Sequence, residues 1–252
     1  MSVHKLIVLR HGELEWNNSN KFCGWHDVGL TEKGKEEARY AARLIKAHNL
    51  KPTKLYTSKL TRSIQTGDIM LEELGRLWCD EVKSWRFNER HYGALQGRDK
   101  NEVYNEFGKE KYNYIRRDFH GTPPLQNVEE SGQLQDERYD YIDIDKTKLP
   151  KGESLLMVME RLIPFIQRNV VAEDMKREDR IVLIATHGSI VRSLIKHFNN
   201  VSDSEISKIN APTGIPLVFE FDESCTYAVK HYYLDPELAR IRTEKVKNEG
   251  KT

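Results

Sequence analysis

The chain has no run of the roughly 20 predominantly apolar residues needed to cross a bilayer, and Met1-Ser2-Val3-His4-Lys5 leads straight into a short apolar stretch without a leader pattern. Cysteine is scarce: Cys23, Cys79 and Cys225 are too few and too scattered for a disulfide framework or a zinc site, and read as reduced thiols. These absences predict a cytoplasmic protein with no membrane partner. An excess of one charge is missing too. Lys plus Arg is 40 and Asp plus Glu is 39, a net charge of +1, so no nucleic-acid footprint is expected and any anion site must come from local clusters. A Walker loop and a Gly-x-Gly-x-x-Gly fingerprint are absent. The nine histidines include no His-Glu-x-x-His spacing, and no acidic cluster suits paired magnesium ions. The expected chemistry uses no metal and no nucleotide loop.

What remains is an ordinary globular composition, 38% hydrophobic and 31% charged over 252 residues, enough for one large α/β domain spanning 1–252. Leu6-Ile7-Val8-Leu9 reads as a strand buried on both faces, ending at Arg10-His11-Gly12. Arg180 to Thr186 repeats that pattern and ends at His187-Gly188-Ser189. Helices are predicted from Glu32 towards His48 with Thr31 as cap, from Lys59 to Leu74 with Gly75 as stop, and from Glu153 to Val171 with a kink at Pro164. A helix is also predicted from Ile190 to Phe198, and another behind the capping box Ser202-Asp203-Ser204-Glu205. Leu217 to Phe221 and Tyr227 to Tyr233 are strand-like. Strands alternating with amphipathic helices predict a three-layer α/β/α sandwich around a mostly parallel central sheet. Residues 118–152, polar and holding Pro123 and Pro124, are expected as a long excursion over the functional edge; residues 236–252 are expected as a mobile charged tail. Trp78 is read as filling core in preference to serving a subunit interface.

Two strand ends finishing in His-Gly point to phosphoryl transfer. Parallel topology brings the carboxyl ends of strands to one edge, where α/β folds place ligands. A neutral imidazole is a competent nucleophile near pH 7, which makes His11 the candidate phosphoryl carrier. Transfer then needs alignment and neutralised equatorial oxygens, for which Arg10, Arg62 and His187 are candidate clamps. Glu89, in Arg86-Phe87-Asn88-Glu89-Arg90-His91-Tyr92, is the candidate proton shuttle, and Arg116-Arg117 a pocket for a second anionic group.

Taken together, Leu9-Arg10-His11-Gly12-Glu13, Trp16-Asn17, Phe22-Cys23-Gly24-Trp25, Thr57-Ser58-Lys59-Leu60-Thr61-Arg62, Asn88 to Leu95, Arg116-Arg117, Gly152-Glu153-Ser154-Leu155, His187-Gly188 and Pro212-Thr213-Gly214-Ile215-Pro216 resemble the cofactor-dependent phosphoglycerate mutases of the histidine phosphatase superfamily, over nearly the whole chain. The resemblance implies a phosphoglycerate mutase-like fold. It implies interconversion of 3-phosphoglycerate and 2-phosphoglycerate through a phosphohistidine at His11, primed by 2,3-bisphosphoglycerate without a metal, in glycolysis and gluconeogenesis. By motif match Arg10, Asn17, Arg62 and His187 would line the phosphate pocket and Glu89 would donate the proton. Tyr92, Lys100, Arg116 and Arg117 would hold the rest of the substrate, with Cys23, Gly24, Gly188 and Ser189 also on the substrate side. Asn17, Tyr92 and Lys100 come from the resemblance alone. It further implies a homodimer or homotetramer.

Two positions depart from the pattern. Leu14 stands where these mutases usually carry serine, and is expected to overfill a polar pocket at a cost of about 1–3 kcal/mol. Ser189 stands where the family usually has asparagine, exchanging two amide donors for one hydroxyl. These departures leave three readings: an active mutase; a bisphosphoglycerate synthase or phosphatase of the same family; and a weakly active or inactive paralogue that binds phosphorylated ligands.

Overall fold

Apolar residues in unbroken runs form strands with two buried faces, and the alternation along each strand decides which core a side chain joins. The computed structural model describes residues 4–16, 20–127, 129–177 and 180–248. Its sheet has six strands: β1 (His4–Arg10), β2 (Lys54–Thr57), β3 (Asp80–Lys83), β4 (Ile181–Thr186), β5 (Leu217–Phe221) and β6 (Ala228–Tyr233), in the order β3-β2-β4-β1-β5-β6. The β3, β2, β4 and β1 strands pair in parallel; β5 runs antiparallel to both β1 and β6.

From β1, Leu6 and Val8 face a core shared with α4 (Leu155–Phe165) and α5 (Gly188–Phe198). Ile7 and Leu9 face the opposite core, against α1 (Glu32–Ala47) and α2 (Thr61–Glu73). The β4 strand divides its side chains in the same way, Val182 and Ile184 to one side, Leu183 and Ala185 to the other. This is the predicted three-layer sandwich.

Local signals explain most helix ends. Thr31 accepts from Gly34 N at the start of α1, as predicted. Gly75, at φ +67°, closes α2, with Arg76 N–H donating to Leu71 O. The capping box opens α6 (Asp203–Ile206). Beyond Pro164 the helix does not simply bend: from Ile166 to Met175 it continues as a π-helix. Proline has no N–H to return to the preceding turn, and the ladder resumes one residue wider.

One helix was not anticipated, and two expectations are not met. Helix α3 (Lys100–Arg117), broken internally at Gly108 with φ +75°, has few periodic apolar residues and buries only Val103, Tyr112 and Ile115. The stretch expected as a mobile tail carries α7 (Pro236–Asn248), while residues 249–252 lie outside the described residues. The overlooked signal was Asp235-Pro236: the Asp235 carboxylate accepts from Leu238 N and proline occupies the first helical position. Trp78, assigned to the core, is 67% exposed beneath the Arg76 guanidinium.

The 118–152 excursion contains three short 3-10 turns and packs on the segment following β3: Tyr139 and Leu149 cluster with Trp25 and Trp85, and the Arg86 guanidinium grips the Asp143 carboxylate through two bonds. Among the described residues no helix is long and apolar enough to cross a membrane.

Candidate active site

The register of β1 on β4, Arg10 opposite Thr186, delivers His11 and His187 side by side; His11 N–H donates to Thr186 O at 2.9 Å. Their rings meet edge to face with centroids 5.1 Å apart, and both are buried. Burial, then the charges of Arg62 and Arg10, hold His11 well below the usual imidazole range; burial, Arg62 and His11 do the same for His187. Both rings are therefore neutral at pH 7. The Gly12 carbonyl, which can only accept, lies 2.9 Å from His11 Nδ1, so Nδ1 carries the proton and the Nε2 lone pair is left for attack. Gly12 permits this loop because a Cβ there would sit 2.6 Å from Glu37 Oε2 and 2.7 Å from Gly34 O.

Around the pair stand Arg10 and Arg62. Arg10 donates from Nη1 to Ala211 O at 2.8 Å. Arg62, in the first turn of α2, donates to His26 O at 2.8 Å and Gly24 O at 2.7 Å. Gly24 adopts φ +50°, and a Cβ would fall 2.0 Å from Gln96 Oε1, so glycine is what lets its carbonyl orient Arg62. Three buried nitrogens here, Arg10 Nε, Arg62 Nε and His187 Nδ1, have no partner among the described residues. His187 Nε2 is held by Ser58 Oγ at 2.8 Å. Buried, unpartnered donors around a neutral nucleophile suit an incoming phosphate.

Glu89 faces the same space. Its Oε1 accepts from the backbone amides of Arg90 at 2.8 Å and Ser189 at 3.1 Å, and its carbonyl from Trp25 Nε1 at 2.6 Å. Two backbone donors hold the carboxyl group at a defined place. Position 189 thus serves Glu89 through its main chain, which serine and asparagine supply alike. Leu14 lies on the cavity wall but does not overfill it. It is buried with Val28 and Leu30 against Trp16, Cys23 and Ile69, and pairs with Leu30 across an isolated bridge. An apolar recess takes up the extra carbon.

The cavity, about 370 Å³, runs from His11, Arg10 and Arg62 past Cys23, Gly24, Glu89, Gly188 and Ser189 to Tyr92, Lys100, Arg116 and Arg117. Burial pushes the Tyr92 phenol up, but the Arg90 guanidinium 4.6 Å over its ring, with Arg116 beyond, turns the net shift downward. Every candidate from the sequence borders this space except His187, which stands behind His11, and Asn17, which lies outside the described residues. Among the described residues no group of His, Cys, Asp and Glu could hold a metal ion.

Sequence reasoning missed the support of this site. Arg161 of α4 pairs with buried Glu153 at 2.7 Å and donates to the carbonyls of Arg86, Asn88 and Glu89, fixing the strip that carries Glu89. It also missed Arg192 of α5, and Lys245 and Val246 of α7, all on the cavity wall. An arginine among the apolar residues of α4 and another in α5 was the available signal, since a buried charge requires a remote partner.

Residues 6–143 and 126–233 match the family described as histidine phosphatase superfamily (branch 1). The chain is 48% identical over 248 residues to phosphoglycerate mutase 1 of Saccharomyces cerevisiae, covering 98% of this chain and 99% of the yeast protein. It is 44% identical over 253 residues to the 2,3-bisphosphoglycerate-dependent phosphoglycerate mutase of Corynebacterium diphtheriae, covering 99% of each. The mycobacterial glucosyl-3-phosphoglycerate phosphatase superposes with a TM-score of 0.69 at 18% identity, over 92% of this chain and 97% of that one. The alpha-ribazole phosphatase of Shigella flexneri does so at 0.68 and 18%, over 92% and 96%. At such identities those two structures speak for the fold alone. With full-length identity of this order and the family match together, the chain belongs to the 2,3-bisphosphoglycerate-dependent phosphoglycerate mutases of the histidine phosphatase superfamily.

Proposed function

We propose that the protein interconverts 3-phosphoglycerate and 2-phosphoglycerate, with His11 carrying the phosphoryl group between them. The observation that carries this reading is the buried imidazole pair: His11, neutral and with Nε2 unprotonated, opens on a cavity beside orphaned donors of Arg10, Arg62 and His187. 2,3-Bisphosphoglycerate fits that donor set, with Arg10, Arg62 and His187 to hold one phosphate and Lys100, Arg116 and Arg117 the other anionic groups. When bound it supplies the phosphoryl group that primes His11.

In the transfer to and from substrate, the Nε2 lone pair attacks phosphorus as the P–O bond to the glycerate oxygen breaks. The departing alkoxide takes a proton from Glu89, and the reverse step returns both. Arg10 and Arg62 neutralise the equatorial oxygens, and a neutral His187 carrying its proton on Nδ1 would add a hydrogen bond, the tautomer that a Ser58 hydroxyl donating to Nε2 would select. The two guanidiniums do the neutralising that magnesium performs in nucleotide enzymes, so the proposal needs no metal. Cys23, Gly24, Tyr92, Gly188 and Ser189 shape the wall that holds the glycerate. The same proposal carries the family's setting: cytoplasmic glycolysis and gluconeogenesis, in a homodimer or homotetramer.

The test is a coupled assay of 2-phosphoglycerate formation from 3-phosphoglycerate with and without 2,3-bisphosphoglycerate. Turnover is expected to require the primer, with acid-labile label on the protein that His11→Ala abolishes along with activity, by about 10⁴-fold or more. Label that persists in His11→Ala, or release of inorganic phosphate without 2-phosphoglycerate, would overturn the proposal.

A further inference from the structure

Behind Arg116 and Arg117 lies a second pair of arginines, buried and without a carboxylate partner among the described residues. Arg90 donates from Nη2 to Arg116 O at 3.1 Å; Arg192 donates from Nη2 to Arg117 O at 3.4 Å and to Ile206 O at 2.9 Å. Arg116 and Arg117 form the last turn of α3, whose carbonyls have no partner within the helix. The rear pair caps that turn with positive charge, the favourable sign at a helix C-terminus, and fixes the direction from which the front pair projects. Arg90 Nε and Nη1 and Arg192 Nε remain buried without a partner. Arg192, unlike Arg90, is itself on the cavity wall. Burial, with Arg90 and Arg117 nearby, pushes the Arg192 guanidinium down to about 9, which leaves it charged at pH 7. The nearby acidic groups are Tyr92 and Glu89, and Glu89 is already held by two backbone amides.

Buried guanidinium charge without an ion-pair partner among the described residues, as at Arg90 and Arg192, discriminates a nearby occupant by charge as well as by shape. Arg116, Arg117 and Arg192 bordering one recess, with Arg90 behind them, gain more from a dianion than from a monoanion. We infer that Arg192 is a specificity-determining residue, making the Arg116–Arg117 end of the cavity prefer a phosphate dianion to a carboxylate. The inference rests on the proposal that the His11 end takes a phosphoryl group, and extends it to what the opposite end selects.

Two matched probes whose C–P bonds cannot be transferred read the preference directly: propane-1,3-bisphosphonate and 4-phosphonobutyrate, which differ only in the second anionic group. Calorimetric Kd values for the whole protein are expected to favour the bisphosphonate. Arg192→Gln keeps a donor for the Ile206 carbonyl and removes the charge, and is expected to shrink that preference roughly tenfold. Arg192→Lys is expected to retain most of it. An unchanged ratio in Arg192→Gln, or equal weakening of both probes, overturns the inference by reducing Arg192 to a structural role. Labelling of His11 by 2,3-bisphosphoglycerate in the same parent preparation reads the mutase proposal separately. Its loss there, with the probe ratio intact, would count against the reaction and not against the selectivity.

Discussion

The two ends of the cavity are built by different means. At the His11 end the two imidazoles sit at the carboxyl ends of paired strands, and the β1–β4 ladder sets their separation. At the far end Arg116 and Arg117 sit on the last turn of a polar helix, α3, and owe their places to buried arginines from a loop and from another helix. Glu89 lies between, on an irregular strip held by Arg161 and by the 118–152 excursion. A ladder positions groups cheaply and rigidly, whereas an irregular strip needs side chains that reach into it and satisfy its carbonyls.

The comparison breaks most visibly at Arg161. Arg161→Met should leave Glu153 buried without its partner, cost about 3–5 kcal/mol in denaturant unfolding, and lower kcat about 10²-fold by releasing Glu89. His11 should still accept label. If kcat falls no more than label uptake does, Arg161 does not act through Glu89.

Acid should next strike the strand-built end. His11 and His187 are held below their usual value near 6.5 when folded and return to it when unfolded, and buried His91 is down at about 4. Below pH 6.5 the unfolded chain therefore binds protons that the folded chain does not, so stability is unaffected above that pH and falls as pH drops through 6.5 towards the folded values. Between pH 6.5 and 5.5 the loss is up to about 1 kcal/mol per histidine, measurable by urea titration at each pH. His91→Gln should reduce the slope; an unchanged slope would remove His91 from the account.

Smaller effects probe the two departures in sequence. Leu14→Ser removes apolar surface from the Val28–Leu30 recess, and should destabilise by about 2 kcal/mol while changing turnover little. A large gain in kcat would restore the view that leucine crowds the substrate. Smallest of all, Ser189→Ala should leave kcat within about twofold, the size of effect expected at a position used through its backbone amide. A tenfold loss would assign the hydroxyl a part.

The same contrast explains what could be read in advance. The layers of the fold and the two histidines announced themselves because Leu6 to Leu9 and Ile181 to Thr186 are local patterns with one structural solution. Arg161 and Arg192 did not, since each completes hydrogen bonds to carbonyls more than ten residues away, and nothing beside them in the chain marks those carbonyls. Helix α7 was misjudged from composition although Asp235-Pro236 gave its start. Trp78 was misjudged because large aromatic residues are usually covered, and here the Arg76 guanidinium is its companion.

The pairing of Arg10 with Thr186 carries a consequence for how this enzyme comes into being. Its reactive pair is assembled from segments far apart in the sequence, in a sheet where β4 also pairs with β2. A slip of one residue in that ladder would turn Leu6 and Val8 into the wrong layer as well as part the two rings. Competence to accept phosphate is thus expected to report on the non-local pairing of β1 with β4, the kind of contact that forms slowly. During refolding, the capacity to take label should lag the appearance of helix and arrive together with protection of the β1 amides.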